Sequence, residues 1–536
     1  MPSLQNKAIK FLILILPALI FTGASVTHAQ QSSYQSAVLS IQQQIENNDL
    51  QSARRLLDTV MRQYPNQGGL ENLLGIVEIQ SNHPEAAKQA FTHAIAHSPK
   101  LVSAYLNLAR IDMETADHDA KATDEAVHLY RKVLELDPAN AEAAYGEATV
   151  AMWRRQYAAS LASLDKLDAG ARAKARVQAV LCADEASLGH KDRAEQTAHT
   201  LAANPDLTES DIMLILPALR DAHRADLLDM LFSAVNARQP LSASGLRILG
   251  LAQEAEGKNQ QARETLERVY EMDPSATAPL VDLARLAFAA NDKQGALGYL
   301  AHARALTPNN ASLAYEYGFV CLQMNLMREA RIAMAEAVRL APDNPDYILT
   351  MGTVVVGAEA LPYLRKYHDL RPNDAAGYLA YGIAYFENND YANAIVWLTK
   401  ATADEKTAAS AHYYLGRSLN QQARYSEAIE ELRRSAELKR DQPDVLAELG
   451  EAYLSLKQYS EAETQLHQAL NLDSDNYVAN YALMRLYSQT NDPLRSDQAK
   501  RFAALRNKNE QLSRDAMRVI EAHPQLVRTN NFILPQ

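Results

Sequence analysis

The chain has 536 residues, 47% of them hydrophobic and 22% charged, which excludes wholesale disorder and a collagenous fibre. Lys and Arg number 53 against 65 Asp and Glu, a formal charge of −12 that argues against general nucleic-acid binding. The two cysteines, Cys182 and Cys321, stand far apart with no CxxC pair, so neither a disulfide scaffold nor a zinc module is expected.

Residues 1–29 run from Lys7 and Lys10 through an apolar stretch, Phe11 to Phe21, into a small polar run that ends at Ala29. This is the three-part layout of a secretory signal peptide. Eleven apolar residues interrupted by Pro17 are too few for a bilayer span, so no transmembrane segment is expected in the mature chain. The mature protein, from about Gln30, is therefore placed outside the cytoplasm, in the periplasm of a bacterial envelope. That compartment is oxidising, and two lone cysteines there point to a fold that does not rely on disulfides.

From Tyr34 onward the chain reads as amphipathic helices of about a dozen residues joined by short loops, with little period-2 alternation. The helices recur. Pro138, Pro240, Pro274, Pro308 and Pro342 share a phase of 34, and Pro65 and Pro99 are one such step apart. A proline there stops the second helix of a pair, because it lacks an N–H and disfavours helical geometry in the residue before it. Seven of the 19 glycines share another slot: Gly75, Gly250, Gly318, Gly352, Gly382, Gly416 and Gly450. Glycine inside a helix costs about 1 kcal/mol relative to alanine, and a close helix approach supplies the compensation. In most repeats the partner slot twelve positions on is alanine, as at Ala262, Ala296, Ala330, Ala394, Ala428 and Ala462. Four residues later a bulky side chain packs back, as in Leu57, Phe91, Leu266, Leu300, Met334, Leu398 and Leu466.

This pattern resembles the tetratricopeptide repeat family, with Leu249-Gly250, Ala262, Leu266 and Pro274, and Tyr381-Gly382, Tyr385, Ala394 and Leu398, as representative matches. The resemblance covers about residues 34 to 510 and implies an all-α, right-handed α-solenoid of about fourteen helix-turn-helix repeats.

In chain order, the third repeat carries five extra residues in the stretch around 114–125, expected in a loop. The repeat from Glu209 to about Gln239 places Leu216 and Leu228 at both close-approach slots and Pro217 mid-helix, which predicts poor packing and a kink. The expected organisation is thus an N-terminal array over 30–206, a degenerate joint over 207–241 and a C-terminal array over 242–510. Between Gly352 and Ala360 the spacing falls to 8, which shortens both helices or their turn. Residues 511–536 read as a polar capping helix and tail.

The resemblance implies that first helices line a concave groove, with positions 5, 9 and 12 of each repeat facing it. In the C-terminal array the candidate partner-binding residues are Arg285, Phe288, Tyr315, Phe319, Leu322 and Ile383, then Phe386, Tyr413, Arg417, Tyr481 and Arg485. Val281, Leu349 and Leu379 fall in the same register. Aromatic and arginine side chains suit binding because each adds large contact area and a polar handle. The Lys and Asn ladder with which some family members clamp a partner's carboxylates is missing, and Asn72 and Arg110 stand without companions.

No nucleotide, zinc-hydrolase, serine-hydrolase or calcium-loop motif occurs, so no catalytic residues, metal or cofactor are expected. His93 and His97 share a helix face at metal-ligand spacing but have no carboxylate near them in sequence. The reading is a non-catalytic protein-interaction scaffold that binds a peptide or partner segment in assembly of an envelope complex. The alternatives are a glycan-binding module of an exopolysaccharide export system, favoured by 25 tyrosines against 9 phenylalanines, and a positioning subunit of an enzyme complex.

Overall fold

The computed structural model describes residues 28–115, 120–355 and 357–522. All but the last two residues of the expected signal peptide, and the tail from 523, lie outside them. Among the described residues there is no strand, and no helix is long and apolar enough to cross a membrane.

The chain divides into two compact units, residues 1–265 and 266–536. The first comprises α1 His28–Glu46, α2 Leu50–Gln63, α3 Gly68–Gln80, α4 Pro84–His97, α5 Val102–Thr115, α6 Ala120–Leu136, α7 Ala141–Trp153, α8 Tyr157–Leu164 and the single turn α9 Ala169–Arg172. It continues with α10 Ala175–Ser187, α11 Lys191–Ala203, α12 Glu209–Asp221, α13 Ala225–Asn236 and α14 Ala243–Ala255, and ends inside α15 Asn259–Met272. The second unit carries seven further pairs. They are α16 Thr277–Ala289 with α17 Lys293–Leu306, α18 Ala311–Gln323 with α19 Met327–Leu340, and α20 Pro345–Val354 with α21 Leu361–Leu370. Then come α22 Ala375–Glu387 with α23 Tyr391–Ala401, α24 Glu405–Gln421 with α25 Tyr425–Leu438, α26 Pro443–Ser455 with α27 Tyr459–Leu472, and α28 Tyr477–Thr490 with α29 Arg495–Ala522. Each unit is an all-α repeat solenoid, with a row of small cores between successive pairs in place of one large core.

The sequence frame explains the pairing. The eleven alanines of the partner slot are at most 1% exposed, and the bulky residues four positions on, such as Leu57, Phe91 and Leu398, are buried with them. At Gly382 an added Cβ would lie 2.4 Å from the side chain of Leu398, and at Gly450 it would lie 2.5 Å from Leu466. The two helices of a pair meet that closely only because the slot has no side chain.

Most turns within a pair use a left-handed residue, and in several a cap follows it. Asn48, Asn291 and Asn389 have φ near +60°, and the next residue, Asp49, Asp292 or Asp390, accepts a backbone N–H of the second helix. Asparagine tolerates this conformation better than most residues, and the aspartate satisfies an otherwise orphaned donor. Second helices stop two residues before the phased prolines, as α15 does at Met272 ahead of Pro274 and α17 at Leu306 ahead of Pro308.

The irregular repeats are accommodated locally. The insertion in the third repeat is not taken up by a loop alone, since α6 starts six residues before Ala126 where regular second helices start three before their alanine. Helix is the cheaper state for a stretch rich in alanine and charged residues. The short spacing after Gly352 appears as two ten-residue helices, α20 and α21, with a 3-10 turn over Gly357–Glu359. Pro217 sits inside a continuous α12, and the degenerate repeat lies within the first unit. There α12 and α13 touch over less of their length than α10 and α11 do, as expected when Leu216 and Leu228 replace small residues.

Gly450→Leu is expected to destabilise the second unit by about 1–3 kcal/mol, because the new side chain meets Leu466 and the Ala462 carbonyl. Gly298→Ala, where an added Cβ meets nothing within 4 Å, is expected to stabilise it by about 0.5–1 kcal/mol. Urea unfolding of both variants checks the assigned phase, and equal effects would refute it.

Candidate interaction surface

The sequence-predicted residues all lie on first helices of the second unit, α16 to α28, at successive turns of one helix face. The structure separates them into two kinds. Arg285, Phe319 and Tyr481 are exposed, with Phe319 at 41% and Tyr481 at 42%. Phe288, Tyr315, Leu322, Ile383, Phe386, Tyr413, Arg417 and Arg485 are half-buried, as are Val281, Leu349 and Leu379. Several of these pack against the cores between repeats and also present an edge or a polar tip.

Local groupings connect neighbouring repeats. Phe288 and Phe319 lie 6.0 Å apart. Tyr315 stacks on Tyr347 of the next first helix at 4.6 Å, with its hydroxyl 3.2 Å from that of Thr350. The Arg417 guanidinium sits 4.6 Å over the Phe386 ring, 5.3 Å over Tyr413 and 5.7 Å over Tyr414. It also donates to Glu448 at 3.0 Å. Burial pushes the Tyr413 hydroxyl well above the usual tyrosine range, so this ring is neutral at any working pH. Burial likewise raises Glu448, against the pull of Arg417 and Asn420. At the far end Arg485 lies over Tyr481 at 5.7 Å and pairs with Glu451, while Phe502 of α29 closes on Tyr481 at 5.3 Å.

Tyr347, Tyr414, Glu448, Glu451 and Phe502 belong to this surface and were outside the sequence-predicted set. The period-34 register carries a signal for Tyr414, one place after Tyr413. None points to Phe502, because α29 has lost the marker residues.

Groups with chemical potential elsewhere are engaged structurally. The Cys182 and Cys321 thiols are free and buried, and burial pushes both up to about 12, so neither is a thiolate nucleophile. His97 does meet a carboxylate, placing its Nδ1 2.9 Å from Glu71, and no metal-holding group of three ligands occurs among the described residues. Asn72 accepts from Asn107 at 3.1 Å and Arg110 donates to Glu142 at 2.6 Å, which consumes both would-be clamp residues in repeat-to-repeat ties.

Asp184 of α10 is the exception among buried acids. It is 0% exposed, and neither carboxyl oxygen has a protein hydrogen-bond partner. The Ser160 hydroxyl, which would favour the ionised form, donates to the Ala148 carbonyl. Burial raises the Asp184 carboxyl to about 8, with Glu185 adding to the rise.

Among known proteins, a model of "Tetratricopeptide repeat" matches residues 281–345 and another matches 246–276. A model described as "Anaphase-promoting complex, cyclosome, subunit 3" matches residues 358–435 and 387–469. A "Protein CTR9 homolog" of Arabidopsis thaliana is 24% identical over 279 residues, 48% of this chain and 25% of that protein, so the match spans about a quarter of the relative. Three solved structures are similar at low scores. The anaphase-promoting complex hetero-tetramer Cut9-Hcn1 is 15% identical over 85% of this chain and 97% of that one, with a TM-score of 0.37. Yeast Tom70 is 14% identical over 81% and 99%, with a TM-score of 0.33. A tetratricopeptide repeat protein from Parabacteroides merdae is 12% identical over 46% and 98%, with a TM-score of 0.39. Tetratricopeptide-repeat models thus match parts of the second half of the chain, in keeping with its all-α repeat solenoid, and none of the matching families is a catalytic one.

Asp184 yields a pH prediction. An acid whose folded pKa is raised contributes its full stability below the ordinary aspartate pKa of about 3.9 and loses it as the pH climbs to about 8. Asp184→Asn is therefore expected to match the parent near pH 4 and to exceed it increasingly up to pH 8, by up to about 1.4 kcal/mol per pH unit. Urea unfolding at a series of pH values measures this, and a gap that does not widen with pH would contradict it.

Proposed function

We propose that this chain is a tetratricopeptide-repeat protein and a non-catalytic protein-interaction scaffold working outside the cytoplasm, whose first-helix face in residues 266–536 receives an extended peptide or helix of a partner. The observation that carries the reading is the run of exposed or half-buried aromatic rings and arginines on that face, from Arg285 through Phe319 and Arg417 to Tyr481. Such side chains concentrate binding energy in few contacts, and Phe319, though it meets Phe288 at 6.0 Å, leaves 41% of its surface exposed. The extracytoplasmic setting rests on the signal-like residues 7–29, and service in an envelope complex is part of the same proposal. The abundance of tyrosine supports a second reading, in which the same rings stack on a glycan.

In-cell crosslinking of the tagged chain, followed by mass spectrometry of the retained envelope fraction, tests the proposal. Phe319→Ala with Tyr481→Ala is the informative variant, because both rings are exposed and their loss leaves the repeat cores intact. A dominant protein partner whose retention falls at least tenfold in the variant is the expected outcome. Glycan alone in the retained fraction, or a partner indifferent to the variant, would overturn the peptide-groove reading.

A further inference from the structure

A cleft of about 610 Å³ opens on the second-helix face between α25 and α27, floored by Leu446, Leu449 and Tyr453 of α26. Ala436, Gln465, Arg433, Glu437 and Arg440 form its walls and rim. None of the first-helix surface residues described above lines it.

The internal repeat supplies a comparison. Shifted back by two repeats of 34, every lining position falls on the same place between α21 and α23, where the space is filled. There Trp397 stands where Gln465 is, and His368 stands where Ala436 is. Trp397 stacks on Tyr381 at 4.5 Å, meets His368 edge-on at 5.3 Å, and carries the Lys400 ammonium at 4.3 Å. One repeat back, Glu431 stands where Gln465 is and His412 where Leu446 is, joined at 2.5 Å. In the first unit the related cleft beside Arg131 is only about 40 Å³, and Arg131 donates to Glu147 at 2.8 Å. The α25–α27 cleft thus lacks an aromatic filling that the same backbone accommodates elsewhere, and its volume lies in the range of ligand sites.

Its charge is also specific. Arg433 uses one donor on the Tyr453 hydroxyl at 2.5 Å, and neither it nor Arg440 makes an ion pair among the described residues, although Glu437 lies between them in sequence. Pro372 stands at the position of Arg440 in the filled cleft, so the second arginine comes with the vacancy. Two guanidiniums against the single carboxylate of Glu437 leave the rim net positive, and over the apolar floor they fit a carboxylate next to a flat ring, since arginine binds carboxylates in a fork and stacks on aromatic faces.

We propose that the α25–α27 cleft is a second partner site, which takes a peptide segment presenting a tryptophan-sized aromatic side chain flanked by acidic residues. The ring enters where Trp397 lies in the filled cleft and packs on Leu449 and Tyr453, while the flanking carboxylates meet Arg433 and Arg440.

Titration calorimetry of the full chain with the capped peptide Ac-Gly-Asp-Trp-Asp-Gly-NH2 tests this, with a peptide carrying Ala for Trp as the control. Saturable binding by the parent, at least tenfold weaker for the Ala peptide, is expected. Gln465→Trp with Ala436→His places the tryptophan and histidine of the filled cleft over Leu449 and is expected to raise Tm while weakening binding at least tenfold. Arg433→Gln with Arg440→Gln is expected to weaken binding at least tenfold at unchanged Tm, so the proposal stays testable if the filled variant folds poorly. Phe319→Ala with Tyr481→Ala is expected to leave this binding intact, which separates the cleft from the first-helix face. No binding by the parent, or equal binding by the filled or arginine variants, would overturn the site.

Discussion

Everything in this molecule depends on how closely the two helices of each pair approach. A side chain at Gly382, Gly416 or Gly450 would overlap Leu398, Leu432 or Leu466, and a larger residue at the facing alanine would push the helices apart from the other side. Close approach fixes the angle at which each pair presents its next face, and the serial cores follow from that angle. Where the rule is relaxed, as at Leu216 and Leu228, the pair loosens while its helices persist. Backbone hydrogen bonding forms the helices, and the small residues arrange them.

Polar ties about one repeat long join successive pairs. Arg110 reaches Glu142, Asn476 reaches Asp444, Arg304 reaches Glu336, and Arg485 reaches Glu451. Most of these groups are partly exposed, so each tie adds little stability by itself. Their role is in register, because a pair that slid by one turn would leave several charges without partners. The aromatic rings of the first-helix face share this duty. Tyr315 on Tyr347 and Arg417 over Phe386 hold repeats together and also offer surface outward.

The repeating frame was legible in the sequence because it rests on residues whose size alone decides their place: glycine, alanine, leucine and proline at fixed offsets. The exposed members of the surface, Phe319 and Tyr481, were also legible from helical register. Tyr315 and Tyr413 show the limit of that reasoning, since a half-buried ring that packs on the next repeat occupies the same register position as a free one. The inserted residues near 120 read as a loop because only spacing was considered, while their helix propensity extended α6. The α25–α27 cleft was not legible at all. It arises from side chains on three helices, and only setting Gln465 beside Trp397 in space shows that something is missing there.

The regular spacing of these contacts bears on how the chain comes to be folded. Each pair closes through a short turn and packs on a neighbour roughly one repeat away in sequence, so little of the structure requires residues distant along the chain. Chains of such low contact order nucleate locally and grow by adding neighbours. A completed pair can therefore serve as the template for the next as the polypeptide emerges from a ribosome or a narrow channel, whichever end is released first. Folding then keeps pace with delivery, and only the growing tip exposes an unmatched apolar face at any moment.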